Sequence, residues 1–138
     1  MMDSNRIFVD TNVLVGAWSG KADDERCLKY LFTLKGKRLY ISTLSIAQFV
    51  SVFQKKRTAD EIRNQVKYLQ TKFNLVGFIE KDIDEALGET TQDIEDSIQY
   101  TLSRKVKCQH FVTNNIKDYT GFFLLNVLKS SQIRQINQ

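Results

Sequence analysis

Near its amino terminus the chain reads Ile7-Phe8-Val9-Asp10-Thr11-Asn12. The three apolar residues are typical of a buried strand, and the three polar residues that follow are all able to cap a helix. This stretch therefore predicts a strand, a turn and a helix in immediate succession. A strand that passes directly into a helix is the first half of an α/β unit.

The rest of the chain repeats this alternation of strands and helices. Further strands are predicted at 38–42, 75–79, 109–113 and 124–128, and helices around 27–34, 44–56, 58–73 and 93–106, with a turn or short helix at 114–119 and a last helix in the tail. Thr58 to Glu61 has the capping-box pattern. The lengths predict an α/β fold, a three-layer α/β/α sandwich whose mostly parallel five-stranded sheet is covered on both faces. The helix at 44–56 has apolar residues on nearly all sides, which predicts that it is largely buried.

Length and composition favour a single domain over residues 1–138. No stretch approaches the roughly 20 apolar residues that span a bilayer, and the first residues lack the order of a signal peptide. We expect a cytoplasmic protein without a membrane segment.

Cysteine and histidine usage excludes several classes of site. Cys27 and Cys108 form no C-x-x-C pair, so a redox motif, a disulfide framework or a thiolate zinc site has little support. Cys27 shares a helical phase with Leu31 and Leu34, which indicates core packing. His110 is the only histidine, and mechanisms that need two imidazoles are therefore excluded.

The charge is divided unevenly along the chain. Residues 80–96 contain eight acidic residues and one lysine, a local charge of −7, so the remainder carries +11 of a net +4. An acidic centre in a basic body suits a metal-dependent enzyme that acts on a polyanion. A solvated acidic helix on an ordinary protein explains the same charges.

Several acidic and amide residues follow predicted strands directly. Asp10 follows the first strand, Asn115 and Asp118 follow the fourth, and the helix with Asp93 and Asp96 leads into the fourth. In an open α/β sheet ligands bind at the carboxyl ends of the strands. If strands one and four are neighbours, these side chains share one crevice. Oxygen ligands of this kind suit Mg²⁺ or Mn²⁺.

At these motifs the chain resembles the PIN-domain nucleases, over residues 6 to about 133. The motifs, in order, are Phe8-Val9-Asp10-Thr11-Asn12-Val13-Leu14, Ile41-Ser42-Thr43-Leu44-Ser45, Asp93-Ile94-Glu95-Asp96-Ser97-Ile98-Gln99-Tyr100 and Val112-Thr113-Asn114-Asn115-Ile116-Lys117-Asp118-Tyr119. The resemblance implies a parallel sheet between helices with strands one and four adjacent. It also implies Mg²⁺- or Mn²⁺-dependent hydrolysis of single-stranded RNA, often by the toxin of a VapBC-type toxin–antitoxin pair, with an antitoxin protein as partner and frequent homodimers.

The resemblance also implies roles for particular residues. Asp10 and Asp96 would bind the metal, with Asp93 one turn before Asp96 and Asn115 and Asp118 on the opposite wall. In the same family pattern these five residues are metal ligands or catalytic groups, and Asn12 and Thr113 are orienting residues.

Two positions depart from the family pattern. Many PIN nucleases have a glutamate where this chain has Gln48, and an aspartate is frequent where it has Asn115. Each replacement keeps an oxygen donor and removes a negative charge, which should weaken the binding of a hard dication.

Structural explanations exist for the same residues. Asp10 and Asn12 could cap the first helix, Asp93 and Asp96 suit the start of an amphipathic helix, and Asn115 and Asp118 suit a turn. Gln48 could line the site or satisfy a buried partner. The basic runs Lys55-Lys56-Arg57 and Arg104-Lys105 are candidates for RNA contact or solvated helix ends, and Trp18 and Tyr119 either stack on bases or pack in the core.

Two other functions compete with the nuclease. One is a PIN-like module that binds RNA or a protein without cleavage, consistent with Gln48 and Asn115. The other is a phosphoryl-transfer domain of response-regulator type, which also has aspartates at strand ends. Its phosphoacceptor would lie after the third strand, where this chain has Glu80 and Lys81.

Overall fold

The computed structural model of the chain describes residues 2–89, 93–119 and 126–137. Its elements alternate much as the sequence predicts. They are β1 Asp3–Val9, α1 Thr11–Trp18, α2 Ala22–Thr33, β2 Arg38–Ser42, α3 Thr43–Phe53, α4 Ala59–Lys72, β3 Asn74–Val76, α5 Glu80–Leu87, α6 Ile94–Lys105, β4 Cys108–Val112 and β5 Asn126–Leu128, with 3₁₀ helices at Ile116–Tyr119 and Ser130–Gln135.

The five strands form one sheet in the order β3-β2-β1-β4-β5, and every pairing is parallel. β1 is therefore central and β4 is its neighbour, which confirms the adjacency of strands one and four. Val9 pairs with Val112, and the backbone N–H of Asp10 donates to the Val112 carbonyl at 2.8 Å. The residues after β1 and after β4 consequently leave the sheet side by side.

Alternating side chains of β1 enter two separate cores. Ile7 and Val9 lie on the face covered by α1 to α4 and the C-terminal 3₁₀ helix, whereas Phe8 lies on the face covered by α6. Phe8 stacks on Phe111 of β4 with ring centroids 5.3 Å apart. Helices on both faces confirm the three-layer α/β/α sandwich. Cys27 is fully buried in the first core, as its helical phase predicts.

The structure confirms the predicted capping box before α4 but changes the bounds of the predicted third strand. Thr58 and Glu61 form the reciprocal capping-box bonds ahead of α4. The third strand covers 74–76 rather than 75–79, so the prediction was wrong at both ends. The chain leaves the sheet after Val76 because Ile79 is already the N-cap of α5, where its backbone N–H donates to the Asp82 carboxylate at 2.8 Å.

The predicted burial of α3 on nearly all sides is also wrong. Its buried residues are Ser45, Phe49 and Phe53, which form a single stripe at four-residue spacing, and Val52 on another side is 43% exposed. Ile46 and Val50 are only partly buried against the same core. The fifth strand begins at Asn126 in the described part, and the predicted positions 124 and 125 lie outside it. The tail forms the predicted last helix, which is a 3₁₀ helix over Ser130–Gln135.

None of the helices within the described ranges combines the length and the apolar character needed to cross a bilayer.

Candidate active site

Asp10 lies at the junction of β1 and α1, where hydrogen-bond donors surround its buried carboxylate. As N-cap of α1, its Oδ1 accepts from the Thr11 backbone N–H at 2.8 Å. Its Oδ2 accepts from Asn12 Nδ2 at 3.1 Å and from Thr113 Oγ1, just after β4, at 2.8 Å. Burial nevertheless raises the pKa of Asp10 above its ordinary value. Asp10 thus caps the helix and presents a carboxylate at the sheet edge.

A tyrosine hydroxyl joins Asp10 to Asp96. Asp96 is buried in the first turn of α6, and Tyr119 donates to its Oδ1 at 3.0 Å while lying 3.4 Å from Asp10 Oδ2. The fold therefore brings together two carboxylates that are 86 positions apart in the sequence. The second oxygen, Asp96 Oδ2, is buried without a hydrogen-bond partner among the described residues.

The electrostatic environment of Asp96 favours its neutral form. Its pKa is raised to about 7, first by burial and then by the negative charges of Asp93, Asp10 and Asp118, although the hydrogen bond from Tyr119 opposes this shift. Those three residues lie at the N-cap of α6, directly after β1 and on the 3₁₀ helix after β4. A bound cation would relieve the repulsion among these carboxylates.

The other acidic and amide candidates are more exposed. Asp93 is the N-cap of α6, and its Oδ1 accepts from the Asp96 backbone N–H at 3.1 Å. The Asn115 backbone N–H donates to Thr113 Oγ1 at 3.1 Å. Asp118 is exposed on the 3₁₀ helix and contributes its charge to the shift at Asp96. Asp93 and Asn115 lie at the open side of the site, and Asp118 lies at its margin.

Gln48 belongs to a polar network between α1, α3 and α6. Its Oε1 accepts from Thr11 Oγ1 at 2.6 Å, and its Nε2 donates to the Glu95 carboxylate. The buried Gln99 donates through Nε2 to Ser45 Oγ at 2.9 Å and to Thr11 Oγ1 at 3.1 Å. Gln48 therefore both satisfies polar partners and faces the site.

Sequence reasoning missed Gln99 and the hydroxyl of Tyr119 as site groups. Gln99 is 2% exposed, and its Nε2 lies 3.4 Å from Asp10 Oδ1. A signal was available, because Asp93, Asp96 and Gln99 recur at three-residue spacing and so share one face of α6. The Tyr119 ring is 1% exposed and packs against Phe111 at 4.5 Å, so it is a core residue and does not stack on RNA bases.

An open cleft of about 450 Å³ lies at this site. Nine of its eleven lining residues have polar or charged side chains; the lining is formed by Asp10, Thr11, Asn12, Val15, Gln48, Ser51, Val52, Asp93, Glu95, Asp96 and Asn115. No three His, Cys, Asp or Glu side chains of the described segments converge as a ready set of metal ligands. The donors nevertheless fit Mg²⁺ or Mn²⁺, which take one or two carboxylates and keep several waters, and Asp96 Oδ2 is an uncommitted oxygen.

The basic candidates fall into two groups. Arg57 and Lys105 are engaged in structural contacts: Arg57 donates to the Trp18 carbonyl at 2.5 Å, and Lys105 pairs with Asp82 at 2.9 Å. Arg104 lies over the Tyr100 ring at 5.6 Å. Lys55 and Lys56 are exposed just after α3, about one turn beyond the cleft residues Ser51 and Val52.

Comparisons with known proteins agree with the fold and its extent. Ribonuclease VapC1 of Aquifex aeolicus (strain VF5) is 22% identical over 135 residues, covering 86% of this chain and 88% of that protein. Two solved structures are similar in fold: a toxin-antitoxin complex from Klebsiella pneumoniae, with a TM-score of 0.69 and 16% identity over 87% of this chain and 95% of that one, and VapBC-1 from nontypeable Haemophilus influenzae, with a TM-score of 0.70 and 12% identity over 91% and 98%. The sequence model of the PIN domain matches residues 6–117. Because that match covers most of the chain, the protein belongs to the PIN-domain family.

Proposed function

We propose that this protein is a metal-dependent endoribonuclease that hydrolyses phosphodiester bonds of single-stranded RNA. The observation that carries the proposal is the Asp10–Tyr119–Asp96 contact, which supports a two-carboxylate site in an oxygen-lined cleft. The name of the curated relative, Ribonuclease VapC1, supports the same activity. The positive charge outside residues 80–96 favours a polyanionic substrate.

In this proposal Asp10 and Asp96 hold a Mg²⁺ or Mn²⁺ ion, with Asp93 and the Asn115 amide as further oxygen donors on the open side. Such an ion lowers the pKa of a water and neutralises charge on the leaving oxygen. Asn12 and Thr113 orient Asp10 through their hydrogen bonds to its Oδ2.

Hydrolysis also requires a group that removes a proton. Water attacks phosphorus, one P–O bond breaks, and the attacking water loses a proton as the leaving oxygen gains one. Asp93 and Asp118 are exposed carboxylates whose charges reach Asp96, so they are the candidates for the proton acceptor.

We further infer a cytoplasmic toxin of a toxin–antitoxin pair, built as one domain over residues 1–138, that forms homodimers and pairs with an antitoxin protein. The support is the fold shared with the toxin-antitoxin complex from Klebsiella pneumoniae and with VapBC-1 from Haemophilus influenzae.

A second candidate function is RNA or protein binding without cleavage. It is favoured by the uncharged Gln48 and Asn115 in the cleft, together with the absence, among the described residues, of three convergent metal-ligand side chains of the acidic, His or Cys types. The response-regulator alternative is not retained. β3 is an edge strand that ends at Val76 and leads into Gly77, so no carboxylate directly follows it. The family whose model matches the chain is the PIN domain.

The test is cleavage of single-stranded RNA by the purified chain in Mn²⁺ and in EDTA. We expect Mn²⁺-dependent products that fall roughly 100-fold or more in Asp10→Asn and in Asp96→Asn. Asp60→Asn, which removes an exposed carboxylate paired with Arg63 on α4, is the matched control and should cleave normally. Equal cleavage by all four proteins would contradict the proposal, and RNA retention without products would favour the second candidate.

A further inference from the structure

Tyr119 contacts both carboxylates of the site through its hydroxyl. It ends the 3₁₀ helix after β4, and its ring is held in the core 4.5 Å from the Phe111 ring. Because that ring is fixed, the hydroxyl has a fixed position, and this position lies between Asp96 Oδ1 and Asp10 Oδ2. Phenylalanine would fill the same core space, so packing alone does not explain the hydroxyl.

The two carboxylates depend on this hydroxyl to different degrees. Asp10 also accepts from Thr11 and Thr113, which fix its orientation without help from Tyr119. For the Asp96 carboxylate, Tyr119 is the one hydrogen-bond donor that the described residues supply. Loss of the hydroxyl should therefore release Asp96 and leave Asp10 in place.

The remaining oxygen of Asp96 indicates what this restraint achieves. With Oδ1 held by Tyr119, the buried Oδ2 has no hydrogen-bond partner among the described residues. A carboxylate with one oxygen fixed by a neutral donor and the other uncommitted is the usual arrangement of a metal ligand held by an outer partner.

We propose that Tyr119 is a positioning residue that fixes the Asp96 carboxylate so that Oδ2 and the Asp10 carboxylate can bind one divalent cation. This inference rests on the proposed metal-dependent function. Tyr119 is not a catalytic residue in it, because the phenol acts only through Asp96.

The test is isothermal titration of the full chain with Mn²⁺, comparing wild type with Tyr119→Phe. We expect the Kd for Mn²⁺ to rise about 10- to 100-fold in the variant, as is typical when an outer partner of a metal ligand is lost. Titration reports stoichiometry separately from affinity, so a partly unfolded variant would show fewer sites at an unchanged Kd. Tyr100→Phe is the matched control, since Tyr100 is a buried tyrosine of α6 that does not line the cleft.

Three results separate the inference from a structural role and from the proposed function. A Tyr119→Phe protein that melts at a lower temperature without Mn²⁺ but retains the wild-type Kd would overturn the inference and leave the nuclease proposal intact. An equal loss of affinity in Tyr100→Phe would also overturn it. If wild type binds no Mn²⁺, the metal-dependent function fails, and the positioning role fails with it.

Discussion

The carboxyl group of Asp96 is buried among other acidic side chains, and this has a consequence for stability. Its pKa is about 7 in the folded protein, against an ordinary value of 3.8, with burial as the main cause and Asp93, Asp10 and Asp118 as further causes. Between those two values the folded state binds more protons than the unfolded state. By linkage, the free energy of unfolding must then fall as the pH rises through this interval.

We predict that the metal-free protein loses stability between about pH 4 and pH 7, because the Asp96 carboxyl ionises in the unfolded chain while it stays largely protonated in the folded protein. Asp96→Asn cannot ionise, so its free energy of unfolding should exceed that of wild type at pH 8 by more than it does at pH 5. Urea unfolding in EDTA at both pH values measures this difference. Parallel pH profiles for the two proteins would show that the pKa of Asp96 is not raised in the folded protein.

At the residue scale, the sequence identifies groups that strand ends and helical phase bring together. Asp10 and Asp96 could be predicted as neighbours once strands one and four were taken as adjacent. The Gln99 amide and the Tyr119 hydroxyl could not, because they reach Asp10 across 89 and 109 positions and depend on the directions of buried side chains. Pattern and spacing specify an element's face, but not the atom that a buried side chain contacts.

At the scale of elements, the corner between α1 and α2 depends on a glycine. A Cβ on Gly16 would lie 1.7 Å from Asp24 Oδ2. Asp24 cannot move aside cheaply, since it is 2% exposed and its Oδ1 accepts from Asn114 Nδ2 at 2.8 Å. The Asn114 backbone N–H in turn donates to Asn12 Oδ1 at 3.1 Å, which links this corner to the site.

We predict that Gly16→Ala lowers the free energy of unfolding by about 1–3 kcal/mol, because the added methyl group must displace the buried Asp24 side chain. Gly88→Ala is the matched control: its Cβ would meet only the Glu85 carbonyl at 3.4 Å, an ordinary contact, so its stability should change little. Urea unfolding of both variants is the measurement. Similar effects at the two glycines would show that Asp24 tolerates the methyl group.

The errors in the predicted elements have physical causes. The apolar residues of α3 predict burial on nearly all sides, yet only Ser45, Phe49 and Phe53 are buried, and Ile46 and Val50 are partly buried against the same core. Val52, on another side of the helix, lines the cleft and is 43% exposed. Similarly, the apolar residues Phe78 and Ile79 extended the predicted third strand, although the capping of α5 ends it earlier. The hydrophobicity of a residue indicates that it is buried, but not which element of the fold covers it.

At the scale of the whole molecule, the parallel sheet separates the charges usefully. The acidic residues of the cleft lie at the carboxyl ends of the strands, and Lys55 and Lys56 follow α3 about one turn beyond the cleft. Lys35 lies three residues before the start of β2 and Lys107 directly precedes β4, so both lie at the opposite edge of the sheet. The chain thus offers two pairs of exposed lysines, one near the site and one distant from it.

We predict that RNA leaving the cleft contacts the near pair. In an Asp10→Asn background, used to prevent cleavage, the double variant Lys55→Gln, Lys56→Gln should bind single-stranded RNA more weakly than its parent. The slope of log K against log salt concentration should also become shallower by about 1.4, since each lost phosphate contact on a single strand is worth roughly 0.7. Fluorescence anisotropy between about 50 and 200 mM salt gives both quantities.

The double variant Lys35→Gln, Lys107→Gln removes the same charge at the far edge and should keep the parental slope. Equal slopes in the two double variants would mean that net charge, and not a path from the cleft along α3, determines how this protein holds RNA.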